Sequence, residues 1–342
     1  MTHTLLLVAC LAQTAELDGA VTAFDRKAGG FCGSVLVAVN GKVLLEKGYG
    51  PADAAAGKPI GADALWDWAS VSKQFTAAAA LRLQDQKKLR LDDPISKFYR
   101  DAPADKAKVT IRQLLNHTSG IQAGFRNDWE FDARDRGSFE KMLLRVPMES
   151  RPGEKWEYSN STYALVAAIV ERVSGRSFED FCVEELFKPA GMKDATFIGR
   201  DGLPLARVPK IARGAGFDGR RRDFAFAYGN TLSWGYRGCG GAVATTRDML
   251  AWDRALRGDK VLSKSAKEQL YAPALKDYAL GWFVSKTAGG VRVEHGGGVE
   301  GVVTQYIRLL DEDIVVALAC SYEPDEHPQR LAEELIRIAR KR

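Results

Sequence analysis

Two clusters of strand-forming text, one near each end of the chain, enclose a long middle that reads as helical, and this arrangement limits the fold more than any other feature. Near the start, Val35-Leu36-Val37-Ala38-Val39 and Val43-Leu44-Leu45 flank Asn40-Gly41, a dipeptide suited to a two-residue hairpin turn. Upstream of them, Leu17, Val21 and Phe24 fall on one helical face. Near the other end, Val291-Arg292-Val293-Glu294 alternates, and Val302 to Leu309 and Ile314 to Cys320 continue as strands. The amphipathic run Arg330 to Ala339 follows them as a closing helix. The expectation is an α+β fold in which both ends of the chain build one antiparallel sheet flanked by helices. A mostly helical lobe, roughly residues 85–235, is inserted between them, with a cleft between the lobes as the natural place for a site.

Three short strings carry chemistry. Ser70-Val71-Ser72-Lys73 puts a hydroxyl and a cation three residues apart, on one face of a helix that continues through Gln74-Phe75-Thr76-Ala77-Ala78-Ala79-Ala80-Leu81. The small residues there predict a helix packed tightly between layers. Ser70 at its opening can use its own backbone N–H to stabilise an oxyanion, and a buried Lys73 in its neutral form can accept the serine proton. Tyr158-Ser159-Asn160 lies between the turn Arg151-Pro152-Gly153-Glu154 and an apolar helix ending near Gly175. Tyr158 reads as general base or proton relay, and Asn160 as a contact to Lys73 and to a substrate carbonyl; the plain alternative is a half-buried tyrosine followed by an Asn N-cap. His295-Gly296-Gly297 closes the strand at Glu294, with the N–H of Gly298 as candidate second oxyanion donor and the glycines keeping the wall clear of side chains. Taken singly each string is weak. A second Ser-x-x-Lys, Ser138-Phe139-Glu140-Lys141, stands in a charged stretch with no chemistry around it.

In this order and spacing the strings, with their flanks Trp66 to Thr76, Leu114-Leu115-Asn116-His117-Thr118-Ser119-Gly120 and Gly240 to Met249, resemble the penicillin-recognising serine hydrolases: class C β-lactamases, D-alanyl-D-alanine carboxypeptidases and related esterases. The resemblance covers most of the chain. It implies a β-lactamase-like fold, Ser70 as nucleophile, Lys73 and Tyr158 as the proton-transfer pair, Asn160 as a substrate and lysine contact, and His295 in the strand-triplet position. His117 reads as a turn histidine that only a contact with the pocket would bring into the chemistry.

One departure bears on the substrate. Penicillin-directed members carry Lys, then Thr or Ser, then Gly in the triplet, and the cation and hydroxyl address a substrate carboxylate. Here the cation becomes a histidine and the hydroxyl is missing. Losing those hydrogen bonds costs on the order of a few kcal/mol, or about two decades in preference, unless Arg237 or another basic residue replaces them. The expectation is therefore an esterase or amidase acting on a small-molecule ester, amide or peptide without a nearby carboxylate. A D-alanyl-D-alanine carboxypeptidase or weak β-lactamase is the alternative, and a non-catalytic ligand-binding sensor is the alternative of another class.

The remaining features bound the reading. No organic cofactor or metal is called for: the four histidines, His3, His117, His295 and His327, are too scattered for a zinc motif, and no Gly-x-Ser-x-Gly elbow occurs. A net charge of +5 over 342 residues, with short basic runs at Arg220-Arg221-Arg222 and Arg340-Lys341-Arg342, speaks against nucleic-acid binding. Cys32, Cys182, Cys239 and Cys320 have no close pairing pattern. Residues 1–15 read as a signal or lipoprotein segment, with residues 16–342 as the hydrolase domain. Leu5 to Ala12 is an apolar run of signal length, and Leu7-Val8-Ala9-Cys10 resembles a lipoprotein cleavage box that would leave Cys10 as a lipid anchor. Both imply export, although no Lys or Arg precedes Arg26. The segment Gly199 to Gly235, with Phe224, Phe226, Tyr228 and Trp234, is expected either to form a pocket wall or to be a surface excursion anchored by core aromatics.

Overall fold

The computed structural model describes residues 2–24, 31–53, 58–122, 135–198, 213–215, 221–223, 232–299, 301–320 and 327–341. Most of the segment Gly199 to Gly235 lies outside them. Within it, Trp234 is buried and stacks under the Arg237 guanidinium.

Helix α1 (Thr2–Ala23) precedes strands β1 (Gly33–Val39) and β2 (Lys42–Tyr49). The turn between the strands is made by Asn40 and Gly41 with φ of 49° and 75°, the left-handed pair that matches the twist of a hairpin. Helix α2 (Lys73–Asp85) follows, and the middle of the chain carries α3 (Ile111–Leu115), α4 (Arg136–Arg145), α5 (Asn160–Ser174) and α6 (Phe178–Cys182). A small antiparallel sheet joins β3 (Trp66–Asp67) and β4 (Thr196–Phe197) to either side of β5 (Ala242–Ala244). Helices α7 (Thr246–Arg257) and α8 (Lys264–Leu270) lead to strands β6 (Phe283–Thr287), β7 (Gly290–Val299), β8 (Val302–Leu309) and β9 (Ile314–Cys320), and helix α9 (Pro328–Ala339) closes the chain.

The six long strands form one antiparallel sheet in the order β6-β7-β8-β9-β1-β2, so the join between the two ends of the chain is the pair β9–β1, with Val37 opposite Val316. Both faces of this sheet are covered. Leu36 and Ala38 of β1 and Val315, Ala317 and Ala319 of β9 point into the large core shared with the middle helices. Val35, Val37, Val316 and Leu318 point to the opposite face, where Leu17 and Val21 of α1 and Leu331, Leu335 and Ile336 of α9 close a second core. Coverage on both sides is why these strands read as nearly unbroken apolar runs rather than as clean alternations. Each aliphatic side chain so buried contributes roughly 1.5–3 kcal/mol.

Helix α2 lies inside the large core. Ala77, Ala78, Ala79 and Ala80 are fully buried, and their small size lets α5 approach closely on one side. Buried polar bonds fix its first turn: Thr76 Oγ1 donates to the Gly238 carbonyl at 2.6 Å, the Ala242 N–H donates to Ser72 Oγ at 3.2 Å, and Trp252 Nε1 donates to Gln74 Oε1 at 2.7 Å. The turn at Gly281 presses on the same place: with φ at 77°, a Cβ there would stand 2.8 Å from the backbone of Lys73 and Gln74. Only glycine allows that approach.

Candidate active site

Ser70 lies on a short 3-10 turn, Ala69–Ser72, which runs directly into α2. Residues three apart eclipse one another on such a turn, and Lys73 Nζ accordingly donates to Ser70 Oγ at 2.9 Å. The turn begins with strain: Ala69 has φ of 44°, a region that costs a non-glycine residue on the order of 1 kcal/mol. A buried carboxylate holds it there. Asp67 Oδ1 accepts the Ala69 N–H at 2.8 Å, and Asp67 Oδ2 accepts from Tyr236 Oη at 3.1 Å. Burial pushes the Asp67 carboxyl up to about 6 against the opposing pull of those hydrogen bonds. From the sheet side, Thr304 Oγ1 donates to the Trp68 carbonyl at 3.1 Å, which ties the turn to β8.

Lys73 is fully buried. Besides Ser70, its ammonium meets the Cys239 carbonyl at 3.1 Å, and it sits over the rings of Tyr158 and Tyr163, 4.7 and 5.6 Å from their centroids. Tyr158 is half-buried on the loop ahead of α5. The N-cap of α5 is Ser159, whose side chain accepts from the Thr162 N–H, so Asn160 is the first helical residue and not the cap. Asn160 is half-buried and does not line the cavity described below.

On the opposite wall, β7 brings in His295, which is 3% exposed. Its Nδ1 lies 2.6 Å from the Gly296 carbonyl and its Nε2 lies 3.1 Å from Tyr278 Oη. A carbonyl only accepts, so the ring proton is on Nδ1 and Nε2 accepts from the tyrosine hydroxyl. Burial, reinforced by the Lys73 charge, pushes the imidazole down to about 3. The triplet position therefore presents a neutral ring at physiological pH, where the sequence suggested only a weakened, titratable cation. Arg237 does not restore the charge, because its Nε donates to Glu179 Oε1 at 2.6 Å.

Ser70, Tyr158, His295 and Gly298 share the wall of a cavity of about 600 Å³, with Phe283, Val303 and Pro328 across from them. No Lys, Arg, Asp or Glu is among the described residues lining it. Gly297 carries the tight contact: a Cβ there would lie 2.6 Å from the Trp68 carbonyl oxygen and 3.0 Å from the Ser70 nitrogen, whereas one at Gly298 would meet nothing within 4 Å. The structure thus gathers Ser70, Lys73, Tyr158, His295 and Gly298 at one place, with Asn160 one helical step behind. Ser138 of the second Ser-x-x-Lys is exposed and bonds to Asp135 at the start of α4.

Sequence reasoning missed Asp67, Tyr236, Tyr278 and the Cys239 carbonyl. It also set His117 aside, although that ring packs 4.5 Å from the Tyr158 ring. The signal for Asp67 was its place three residues before the serine. The others are brought in only by tertiary packing.

The sequence profile described as Beta-lactamase matches residues 17–341. Penicillin-binding protein 4* of Bacillus subtilis (strain 168) is 30% identical over 322 residues, covering 88% of this chain and 70% of that protein. A D-aminopeptidase of Brucella anthropi is 27% identical over 327 residues, covering 91% of this chain and 60% of that protein, so the chain spans less than two thirds of its length. The crystal structure of D-amino acid amidase from Ochrobactrum anthropi SV3 complexed with L-phenylalanine amide superposes with a TM-score of 0.80 at 20% identity, covering 96% of this chain and 98% of that one, and speaks for the fold alone. With the profile spanning nearly the whole chain and this fold beneath it, the chain belongs to the β-lactamase family, within the penicillin-recognising serine hydrolases.

Proposed function

We propose that the protein hydrolyses esters or amides through an acyl-enzyme on Ser70, and that its substrates carry no carboxylate next to the scissile carbonyl. The observation that carries the reading is the contact between Ser70 Oγ, on the cavity wall, and the Nζ of the fully buried Lys73. Ser70 Oγ attacks the carbonyl carbon while its proton passes into the Lys73–Tyr158 pair. The backbone N–H groups of Ser70 and Gly298 take the oxyanion, and the same pair returns the proton to the leaving alcohol or amine. Water then attacks the acyl carbon, giving its proton to the same pair, which returns it to Ser70 Oγ as the bond to the acyl group breaks and the acid leaves. Asn160 orients the Lys73 side of the site. The neutral His295, and a described lining that holds His327 but no Lys, Arg, Asp or Glu, support the absence of a carboxylate in the substrate.

The test is turnover of p-nitrophenyl acetate by wild type and Ser70→Ala, with intact-mass detection of adducts and benzylpenicillin in parallel. Ester turnover lost in the variant, with little penicillin adduct, is the expected result. A long-lived penicillin adduct on Ser70 moves the assignment to a D-alanyl-D-alanine peptidase, the second reading that the penicillin-binding relative favours. Absence of any adduct leaves the sensor.

We also propose export with lipidation at Cys10. Gln13 Nε2 donates to the Ile338 carbonyl at 3.0 Å and Thr14 Oγ1 to the Leu44 carbonyl at 3.0 Å, so cleavage just before Cys10 keeps these ties whereas cleavage after residue 15 removes them. The mass of the mature amino-terminal peptide from membranes checks this; an unmodified Cys10 peptide refutes it.

A further inference from the structure

His117 is buried to 1% exposure, and the reaction outlined above gives it no part. It sits just beyond α3 in the left-handed region, with φ of 62°. From there it holds the N–H groups of the two residues that flank Tyr158. Its carbonyl accepts the Glu157 N–H at 2.9 Å, and its Nδ1 accepts the Ser159 N–H at 3.1 Å. The ring itself lies between aromatic neighbours, 4.5 Å from the Tyr158 centroid, 4.6 Å from that of Tyr278 and 5.1 Å from that of Tyr163. Because Nδ1 accepts, the ring proton is on Nε2, which has no acceptor among the described residues. A second proton on Nδ1 would set two donors against each other at Ser159. Burial, with the charge of Lys73 next in effect, disfavours that second proton as well.

We infer that His117 is a positioning residue for Tyr158: its carbonyl and its Nδ1 clamp the N–H groups of Glu157 and Ser159, on either side of the tyrosine, and so hold the phenol over Lys73. The contacts are specific in a way that core filling is not. An apolar residue of the same size would pack against the three tyrosines and leave the Ser159 N–H without its acceptor. His117 is not among the residues lining the cavity, so it sets where the phenol stands without meeting substrate. This rests on the reading of Tyr158 as a proton-transfer group.

The experiment compares wild type, His117→Gly, His117→Ala, His117→Asn and Tyr158→Phe in steady-state hydrolysis of p-nitrophenyl acetate, with thermal melting of each preparation. Glycine tolerates the left-handed backbone without strain and serves as the control for φ. Asparagine also tolerates it and presents Oδ1 where histidine has Nδ1, without the ring. The expected result is a fall in kcat of roughly 30- to 100-fold for Gly and Ala, the size of effect that follows a misplacement of about 1 Å. KM should stay within about 3-fold, and Asn should recover kcat to within about 5-fold of wild type. Gly and Ala variants that keep full kcat overturn the inference, as does a loss confined to KM, or an Asn variant as impaired as Gly. If Gly and Ala do not fold, Asn decides: retained kcat upholds the acceptor's role, and a loss beyond about 10-fold at unchanged melting overturns it. A fully active Tyr158→Phe sinks the Tyr158 reading and this inference with it; an inactive Tyr158→Phe beside fully active His117 variants sinks the inference alone.

Discussion

Replacing Gly297 by alanine tests how closely the sheet and the nucleophile turn are matched. The added methyl would stand 2.5 Å from Thr304 Oγ1, 2.6 Å from the Trp68 carbonyl oxygen and 3.0 Å from the Ser70 nitrogen. Thr304 can rotate away, at the loss of its bond to Trp68. The other two atoms are backbone and cannot. Relief from 2.6 Å to the 3.4 Å of ordinary contact needs a shift of about 0.8 Å between β7 and the turn that carries Ser70. A shift of that size costs about 100-fold in rate where the nucleophile and an oxyanion donor are both displaced. Gly297→Ala should therefore lower kcat/KM for p-nitrophenyl acetate by about two decades, near 2.7 kcal/mol in the barrier, while costing about 1–3 kcal/mol in unfolding free energy by overpacking. Gly298→Ala is the internal control, since its methyl meets nothing within 4 Å, and it should keep kcat within about 5-fold while narrowing the cavity. Equal impairment of the two variants, or a Gly297→Ala enzyme within about 3-fold of wild type, would refute the reasoning.

Three further outcomes are expected. Tyr278→Phe removes the donor to the buried Nε2 of His295 and should cost about 1–3 kcal/mol in urea unfolding; an unchanged midpoint would show that the hydroxyl is not paired there. Asp67, pushed up to about 6 in the folded state from an ordinary 3.8, holds more protons folded than unfolded between those values, so its contribution to stability is present below about pH 4 and lost as pH rises through 6. The difference amounts to about 3 kcal/mol, and Asp67→Asn should remove it, so that stability of the variant rises relative to wild type between pH 4 and 6; parallel pH profiles would contradict this. Asp253→Ala strips the partner of Arg308, an ion pair of 2.7 Å with both side chains almost wholly buried, and should cost about 3–5 kcal/mol by denaturant titration, whereas a loss below about 1 kcal/mol would mean that Arg308 is satisfied elsewhere.

Much of this arrangement was legible in the chain because it is local. The hairpin at Asn40-Gly41 and the strands from 302 to 320 announce themselves through turn chemistry and apolar runs, whereas β7, read as ending at Glu294, runs on through the glycines to Val299. So do the small-residue helix after Ser70, the helix stopping at Gly175 and the closing helix α9. Ser70 and Lys73 were legible for the same reason, since three residues of sequence fix their distance. What escaped depends on contacts between distant segments. The neutrality of His295 comes from its burial and from the charge of Lys73 on a helix more than two hundred residues earlier. The acceptor for Lys73 is a backbone carbonyl, which no residue type reveals. The strained Ala69 is held by Asp67, and a left-handed alanine leaves no trace in composition. The choice of Ser159 over Asn160 as helix cap was a matter of one residue among two good capping types.

The position of β9 between β1 and β8 has a consequence for how the protein is made. Strand β1 leaves the ribosome early and pairs at once with β2, but its other edge waits until β9, far later in the sequence, has been synthesised. Such long-range closure is slow, and an apolar strand left open in the meantime is a template for misassembly. The serine and lysine are likewise present long before the strand bearing His295 and the glycine wall. Hydrolytic capacity therefore arises in a single late step, when β7 to β9 dock, and an interrupted chain should be an aggregation-prone fragment instead of a partly active enzyme.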